Sequence, residues 1–347
     1  MLKRTHQENR LMHSPPPSSG PITVLLLSQL PDAQVKKLHQ LSSRLRFVEG
    51  LTTENLYQTQ IVYGPHADFD VKATPNLRWM QCTTVNVSQL MHCSIANTTI
   101  PIANVRGAYA LACAELTVAL VLGLKRRFGL IHEMQLRSFW PDDYEPLKGE
   151  NCYGVTLGLI GYGSIGRQIA RICQAMGMNI LACKLHPQVR NDESYCLPNT
   201  GDPEGLIPTT IYGPSELHEM LSHSDIVVCS LPQTKQTHQV IGAAEFKAMR
   251  PQTYFVNVGR GAVVDEQALI SQLQAGKLAG AGLDVFSIEP LPKDSPLWGM
   301  PNVLICPHVA SYTGDQSLLA AGVLHENLSR DLRGDSLLNI VSMNNGY

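Results

Sequence analysis

The apolar run Val155–Ile160 ends directly on Gly161. The chain then reads Gly161-Tyr162-Gly163-Ser164-Ile165-Gly166, followed by a helical pattern from Ile165 to Met176 and a second apolar run at Asn179–Cys183. Strand, glycine turn, helix and parallel strand form a βαβ unit, and few folds accept that order. Further runs, Asp225–Cys229, Tyr254–Val258, Ala279–Val285 and Val303–Cys306, are apolar throughout. Strands without polar alternation, separated by helices, predict a parallel sheet covered on both faces.

Upstream, Ile22–Leu27, Arg46–Val48, Gln60–Tyr63, Arg78–Cys82 and Thr99–Ala103 read as strands, and Pro31-Asp32 opens a helix. They predict a smaller α/β unit. Asn104-Val105-Arg106-Gly107 interrupts the pattern before a long helix, Tyr109 to Phe128, whose apolar residues run nearly all round. Such a helix is expected to be buried between domains or subunits. A last helix, Asp315 to Leu332, has no sheet of its own and is expected to pack on the first unit. The reading is therefore α/β, with two units, each a parallel sheet flanked by helices. Residues 21–103 and 312–347 form a discontinuous substrate domain, and 104–311 form the dinucleotide-binding domain. The segment Pro187 to Pro214, rich in Pro, Gly, Asp and Asn, is read as a surface excursion.

In a nucleotide-binding βαβ unit the first glycine permits the tight turn, the second lets a pyrophosphate approach the backbone, and the third lets helix and strand pack closely. Gly161, Gly163 and Gly166 fit these roles, with Ser164 and Ile165 at the start of a helix whose free N–H groups would face phosphate. NAD enzymes place an acid at the end of the second strand, about 20 residues on, to bind the ribose 2′-hydroxyl. Here the strand ends in Lys184, and no carboxylate follows until Asp192. A cation at that place would accept a 2′-phosphate, so NADP(H) is expected to be favoured over NAD(H), with His186 or Arg190 helping.

Three residues at later strand ends carry chemistry: Arg260 between Gly259 and Gly261, Glu289 before Pro290, and His308 after Pro307. An imidazole can give a proton to a carbonyl oxygen as hydride arrives. A carboxylate beside it, Glu289, would orient the ring and favour its protonated form. A guanidinium binds a carboxylate in bidentate fashion and polarises the adjacent carbonyl. Arg260 between two glycines is expected to sit where backbone crowding is low, with its fork exposed. Each residue alone is more often structural; all three at ends of one sheet point to a 2-keto acid site. Asp284 is expected nearer the nicotinamide or a helix N-terminus than the reacting atoms. Spacing suggests no metal ligands, and there is no nucleophile elbow of the Gly-x-Ser-x-Gly kind.

Together the motifs resemble the D-isomer-specific 2-hydroxyacid dehydrogenases. The match runs from about Leu77 to Thr313. It includes Asn104-Val105-Arg106-Gly107, the glycine loop, Leu231-Pro232, Val256-Asn257-Val258-Gly259-Arg260-Gly261, Gly280-Ala281-Gly282-Leu283-Asp284-Val285-Phe286 and Pro301-Asn302-Val303-Leu304-Ile305-Cys306-Pro307-His308. The resemblance implies a cleft between two Rossmann-like domains and a homodimer built largely on the cofactor domain. It gives Arg260, Glu289 and His308 the catalytic roles above. It implies cofactor contacts from Gly161, Gly163, Ser164, Ile165, Gly166, Lys184, Leu231, Pro232, Val258, Gly259 and Asp284. It also implies substrate contacts from the loop Thr84, Val85 and Asn86. Asn86 stands where this family commonly has glycine; asparagine tolerates positive φ, so the loop shape is expected to persist.

The expected activity is hydride transfer between NAD(P)H and a small 2-keto acid such as glyoxylate or hydroxypyruvate. The competing readings are a phosphoglycerate-type dehydrogenase, for which Arg106 is the nearby extra cation, and a corepressor-like nucleotide sensor. Net charge is −2, which suggests no nucleic-acid partner. No apolar stretch approaches the ~20 residues of a membrane span. Nine scattered cysteines without a Cys-x-x-Cys pair suggest a reducing, cytoplasmic setting. Residues 1–20 are read as a disordered tail without the apolar core of a signal peptide; a transit peptide is the lesser reading.

Overall fold

The computed structural model describes Gly20–Ser342; the tail read at residues 1–20 lies, up to residue 19, outside the described residues. The chain divides into two compact units. One comprises the described residues up to Ala108 and from Gly314 on, the other Tyr109–Thr313.

The first unit has β1 (Ile22–Leu26), α1 (Asp32–Leu41), β2 (Leu45–Glu49), α2 (Thr53–Gln58), β3 (Thr59–Tyr63), β4 (Trp79–Gln81) and β5 (Ile102–Ala103). Its sheet is parallel, in the order β2-β1-β3-β4-β5. Every residue of β1 is buried, as strands covered on both faces require. The strand read at Thr99–Ala103 shrinks to two residues, because only Ile102 and Ala103 pair with β4. The C-terminal helix, Gln316–Arg333, closes one face with Leu324 and Leu328. Its buried Asn327 donates to Gln81 Oε1 and accepts from Leu338 N–H. Asp331 pairs with Arg78, and their side chains are 1% and 9% exposed.

The second unit begins with α3 (Ala110–Lys125) and α4 (Phe128–Leu136). It continues with β6 (Thr156–Ile160), α5 (Ser164–Ala175), β7 (Asn179–Cys183), β8 (Thr210–Tyr212), α6 (Leu217–Ser222) and β9 (Ile226–Cys229). It ends with α7 (Ala243–Ala248), β10 (Thr253–Asn257), α8 (Glu266–Gln274), β11 (Leu278–Leu283) and β12 (Val303–Ile305). The seven strands are parallel, in the order β12-β11-β10-β9-β6-β7-β8. The order reverses at β6/β9, the switch point beside which such sheets bind ligands.

Two expectations need correction. The helix read from Tyr109 to Phe128 is α3; Arg127, at φ 55°, takes a left-handed conformation that stops it, and the reading did not include α4 beyond. Nor is α3 buried merely between larger bodies: it packs on α5, β10, β11 and β12 of its own unit. Gly282 permits this, since a Cβ there would lie 3.0 Å from Leu120 Cβ. The excursion Pro187 to Pro214 is likewise not wholly superficial; it holds the edge strand β8 and the buried Asp202.

Truncating Asp331 would leave the Arg78 charge buried and unpaired. Asp331→Ala is therefore expected to lower the stability of the first unit by about 3–5 kcal/mol, read from urea unfolding of the full chain. A loss under about 1 kcal/mol would mean that the pair contributes no more than a surface ion pair.

Candidate active site

The glycine loop has the shape its spacing suggests. Gly161 takes φ +102°, and Ser230 Oγ donates to its carbonyl at 3.2 Å. A Cβ on Gly166 would lie 2.3 Å from the Gly161 oxygen, so only glycine lets α5 start this close to β6. A Cβ on Gly163 would meet no atom within 4 Å. The space beside Gly163, at the start of α5, is thus open where a side chain would stand, as the approach of a pyrophosphate to the backbone would require. Ser164 and Ile165 occupy the first turn of α5. Leu231 and Pro232 follow β9; the Leu231 oxygen would lie 2.6 Å from a Cβ on Gly259. At the tip of β7 the half-buried Lys184 donates from Nζ to the Val189 carbonyl at 2.6 Å.

After β10 the chain turns through Val258, Gly259 and Arg260. Asn257 brackets this turn: its Oδ1 accepts from Gly259 N–H at 3.1 Å and its Nδ2 donates to the Arg260 carbonyl at 3.2 Å. The glycines beside Arg260 are needed for a reason opposite to the one expected. Crowding is severe: a Cβ on Gly261 would lie 1.9 Å from the Phe286 carbonyl carbon and oxygen. Arg260 itself is half-buried, and its guanidinium donates to the Gly259 carbonyl at 2.7 Å.

After β12, His308 takes φ 56°, a costly conformation for a non-glycine residue. Asp284, at the tip of β11 and 1% exposed, fixes it. The Asp284 carbonyl accepts from His308 N–H at 2.9 Å. Its carboxylate accepts from Val309 N–H at 2.8 Å and Ala310 N–H at 3.1 Å. Burial pushes the Asp284 carboxyl above its ordinary range, against the pull of those two N–H groups and His308. The His308 ring meets Glu289, with Nδ1 2.7 Å from Oε2. The other Glu289 oxygen accepts from Phe286 N–H at 3.0 Å. With Nδ1 engaged, Nε2 is the nitrogen left to meet a substrate. Beneath them Cys113 of α3 is pushed up to about 12, chiefly by burial, with Asp284 raising it and Arg260 lowering it. That thiol is not a nucleophile near neutral pH.

Arg260, Asp284 and His308 therefore stand at the ends of the adjacent strands β10, β11 and β12, with Glu289 folded back to the last. Thr84, Val85 and Asn86 lie in the first unit. Thr84 Oγ1 donates to the Asn86 carbonyl at 2.8 Å, and Asn104 donates to the Val85 carbonyl at 3.1 Å. Asn86 is not among the described residues with positive φ, so this loop does not use the conformation expected for it. Sequence reasoning missed Asn257 and Ser230 and gave Asp284 no structural task. An asparagine closing an apolar strand, where it is disfavoured, is the signal that could have found Asn257.

Residues 118–310 match the family model of the D-isomer specific 2-hydroxyacid dehydrogenase NAD binding domain. The chain belongs to that family. It is an oxidoreductase of the NAD(P)-dependent kind, built on parallel sheets flanked by helices. It is 37% identical over 235 residues to the glyoxylate/hydroxypyruvate reductase B of Klebsiella pneumoniae (strain 342), covering 66% of this chain and 67% of that one. Among solved structures it is similar to a D-isomer specific 2-hydroxyacid dehydrogenase family protein from Aeromonas salmonicida subsp. salmonicida A449. That likeness has a TM-score of 0.72, with 28% identity over 93% of this chain and 100% of that one. A family member from Xanthobacter autotrophicus Py2, solved with NADPH and MES, shares the fold, with a TM-score of 0.72 and 24% identity over 95% and 100% of the two chains.

The contact between Gly261 and Phe286 generates a prediction. Gly261→Ala must push the Arg260 turn away from Phe286, and misplacement by about 1 Å costs ~100-fold in rate. A loss of that order in kcat/KM, with the far-ultraviolet circular dichroism retained, is the expected result; full activity would show that the Arg260 turn tolerates movement.

Proposed function

We propose that this enzyme reduces a small 2-keto acid, glyoxylate or hydroxypyruvate, to the D-2-hydroxy acid, with NADPH preferred over NADH. The observation that carries the reading is the 2.7 Å pair of His308 Nδ1 and Glu289 Oε2 at the sheet end that also bears Arg260. The names of the curated relatives support the substrate class.

A reduced nicotinamide dinucleotide, held at its pyrophosphate by the glycine loop, would supply the hydride. His308 presents Nε2 to the substrate carbonyl oxygen and releases a proton to it as the alkoxide forms. Glu289, held by Phe286 N–H, keeps the ring turned. Arg260 binds the substrate carboxylate and draws charge toward the carbonyl oxygen. The loop Thr84–Asn86 is the proposed substrate contact from the first unit. Gly161, Gly163, Ser164, Ile165 and Gly166 receive the pyrophosphate, and Leu231, Pro232, Val258 and Gly259 line the dinucleotide beyond them. Asp284 acts by holding the His308 turn.

Lys184 supports the choice of NADPH: a half-buried cation stands at the tip of β7, where an acid would repel a 2′-phosphate. The proposed setting is the cytoplasm, in keeping with nine free cysteines, and among the described residues no helix is long and apolar enough to cross a membrane. A homodimer is the proposed assembly. The apolar side chains Leu136, Phe139, Trp140 and Tyr144 stand exposed in and after α4, as a partner-binding surface does.

Spectrophotometric assay of 2-keto acids with both reduced cofactors tests the reading. His308→Ala is expected to lower kcat by about 10²–10⁴-fold. Arg260→Ala should lower kcat and also raise KM for the keto acid, while KM for the cofactor stays. Unchanged turnover in the His308 variant would remove it from the chemistry. A tenfold preference for NADH in the unmodified enzyme would sink the cofactor assignment.

A further inference from the structure

The excursion that follows β7 is built into the cofactor side of the sheet. Arg167, on the first turns of α5 and 2% exposed, holds it at three points. Its guanidinium donates to the Asp202 carbonyl and to the Arg190 carbonyl, and its Nε lies 3.4 Å from Asp192 Oδ2. The guanidinium also stacks over the Tyr162 ring, 4.7 Å from its centre, and the Tyr162 hydroxyl donates to the Asp202 carboxylate at 2.5 Å. Farther along α5, Gln168 accepts from Gly201 N–H, and Arg171 donates to the Gly201 carbonyl at 3.0 Å.

Within this excursion a short stretch spans two landmarks. At one end the Val189 carbonyl receives Lys184 Nζ, at the tip of β7. At the other, Ser194 Oγ lies 3.2 Å from Ser164 Oγ, in the first turn of α5. Five residue steps reach no farther than roughly 18 Å. Residues 189–194 therefore run between the tip of β7 and the first turn of α5, where a dinucleotide's ribose and pyrophosphate would bind. The acid absent from the end of β7 returns here as Asp192. Its carboxylate side chain is only 11% exposed, accepts from Ser194 N–H at 3.1 Å and faces Arg167.

We propose that residues 189–194 form the outer wall of the nucleotide's adenosine end, and that Arg167, by cancelling the charge of Asp192 in that wall, is a positioning residue that lets a 2′-phosphate bind. The inference rests on the NADPH reading above and adds its cause. Lys184 supplies attraction at the strand tip, whereas Arg167 removes the repulsion that Asp192 would otherwise supply. A carboxylate released from its pair would act as the ribose-binding acid of an NAD enzyme does, favouring a free hydroxyl over a phosphate.

Nucleotide fragments that lack nicotinamide report on this wall without turnover. Calorimetric titration of the full chain with 2′,5′-ADP and with 5′-AMP gives the selectivity as a ratio of dissociation constants. Arg167→Gln is expected to weaken 2′,5′-ADP about tenfold while moving 5′-AMP less than about threefold, the effect of one unscreened charge near the surface. Asp192→Asn should act in the opposite sense and tighten 2′,5′-ADP, and the double variant should restore the original ratio. A general loosening of α5 would weaken both fragments alike, which would overturn the proposal. Should R167Q not fold, D192N decides alone: an unchanged ratio refutes it. Equal binding of the two fragments by the unmodified chain would bring down the NADPH reading and this inference together. A clear preference for 2′,5′-ADP that survives both substitutions would overturn the role of Arg167 only.

Discussion

The geometry of the site depends on one buried carboxylate. Asp284 closes β11 and binds the chain leaving β12 through two backbone N–H groups and its own carbonyl. A carboxylate this deep is costly to ionise, as the upward displacement of its titration indicates. The return is a fixed turn. His308 is held at positive φ, a conformation worth 1–3 kcal/mol of strain that persists only where surrounding contacts over-determine it. The ring projects from a backbone with little freedom to relax, which suits the proton donor proposed for it.

Phe286 joins this turn to Glu289 and to the turn that carries Arg260. Its N–H holds one oxygen of Glu289, whose second oxygen holds His308. Its carbonyl packs against Gly261 so closely that no Cβ fits. The backbone of one residue thus fixes the Glu289–His308 pair and the far side of the Arg260 turn, while Asn257 fixes the near side. The proposed proton donor, orienting acid and anion-binding cation are tied to one stretch of backbone. These contacts are present without any ligand, as a preorganised site requires.

Much of this was legible in the sequence because the informative features are local. The apolar strands are unbroken runs, the glycine loop is six residues long, and Arg260, Glu289 and His308 each follow such a run. Chemistry concentrates at strand ends in a parallel sheet, so finding the strands nearly finds the site. The break after α3 was hidden because Arg127, unlike glycine or proline, gives no sign that it will take a left-handed conformation. The role of the Arg260 glycines was misread for a similar reason: the sequence shows the missing Cβ but not that Phe286, 25 positions on, fills its place.

The excursion after β7 marks where local reading ends. Its composition is that of a solvated loop, and nothing in a run of Pro, Gly, Asp and Asn signals a buried anchor. The anchor lies on a different element: Arg167 belongs to the helix that the glycine motif announces, and its partners Arg190, Asp192 and Asp202 come 23 to 35 positions later. An arginine on an amphipathic helix ordinarily points to water, and only the fold reveals that a polar loop has closed over it. Burying a guanidinium requires that its charge be met, and the loop meets it with a carboxylate and gives two of its donors carbonyl partners, while Nε makes no hydrogen bond. The requirement also acts in the other direction. Because Arg167 must be satisfied, the loop is held against α5, and the acid that the strand tip lacks is brought back already neutralised.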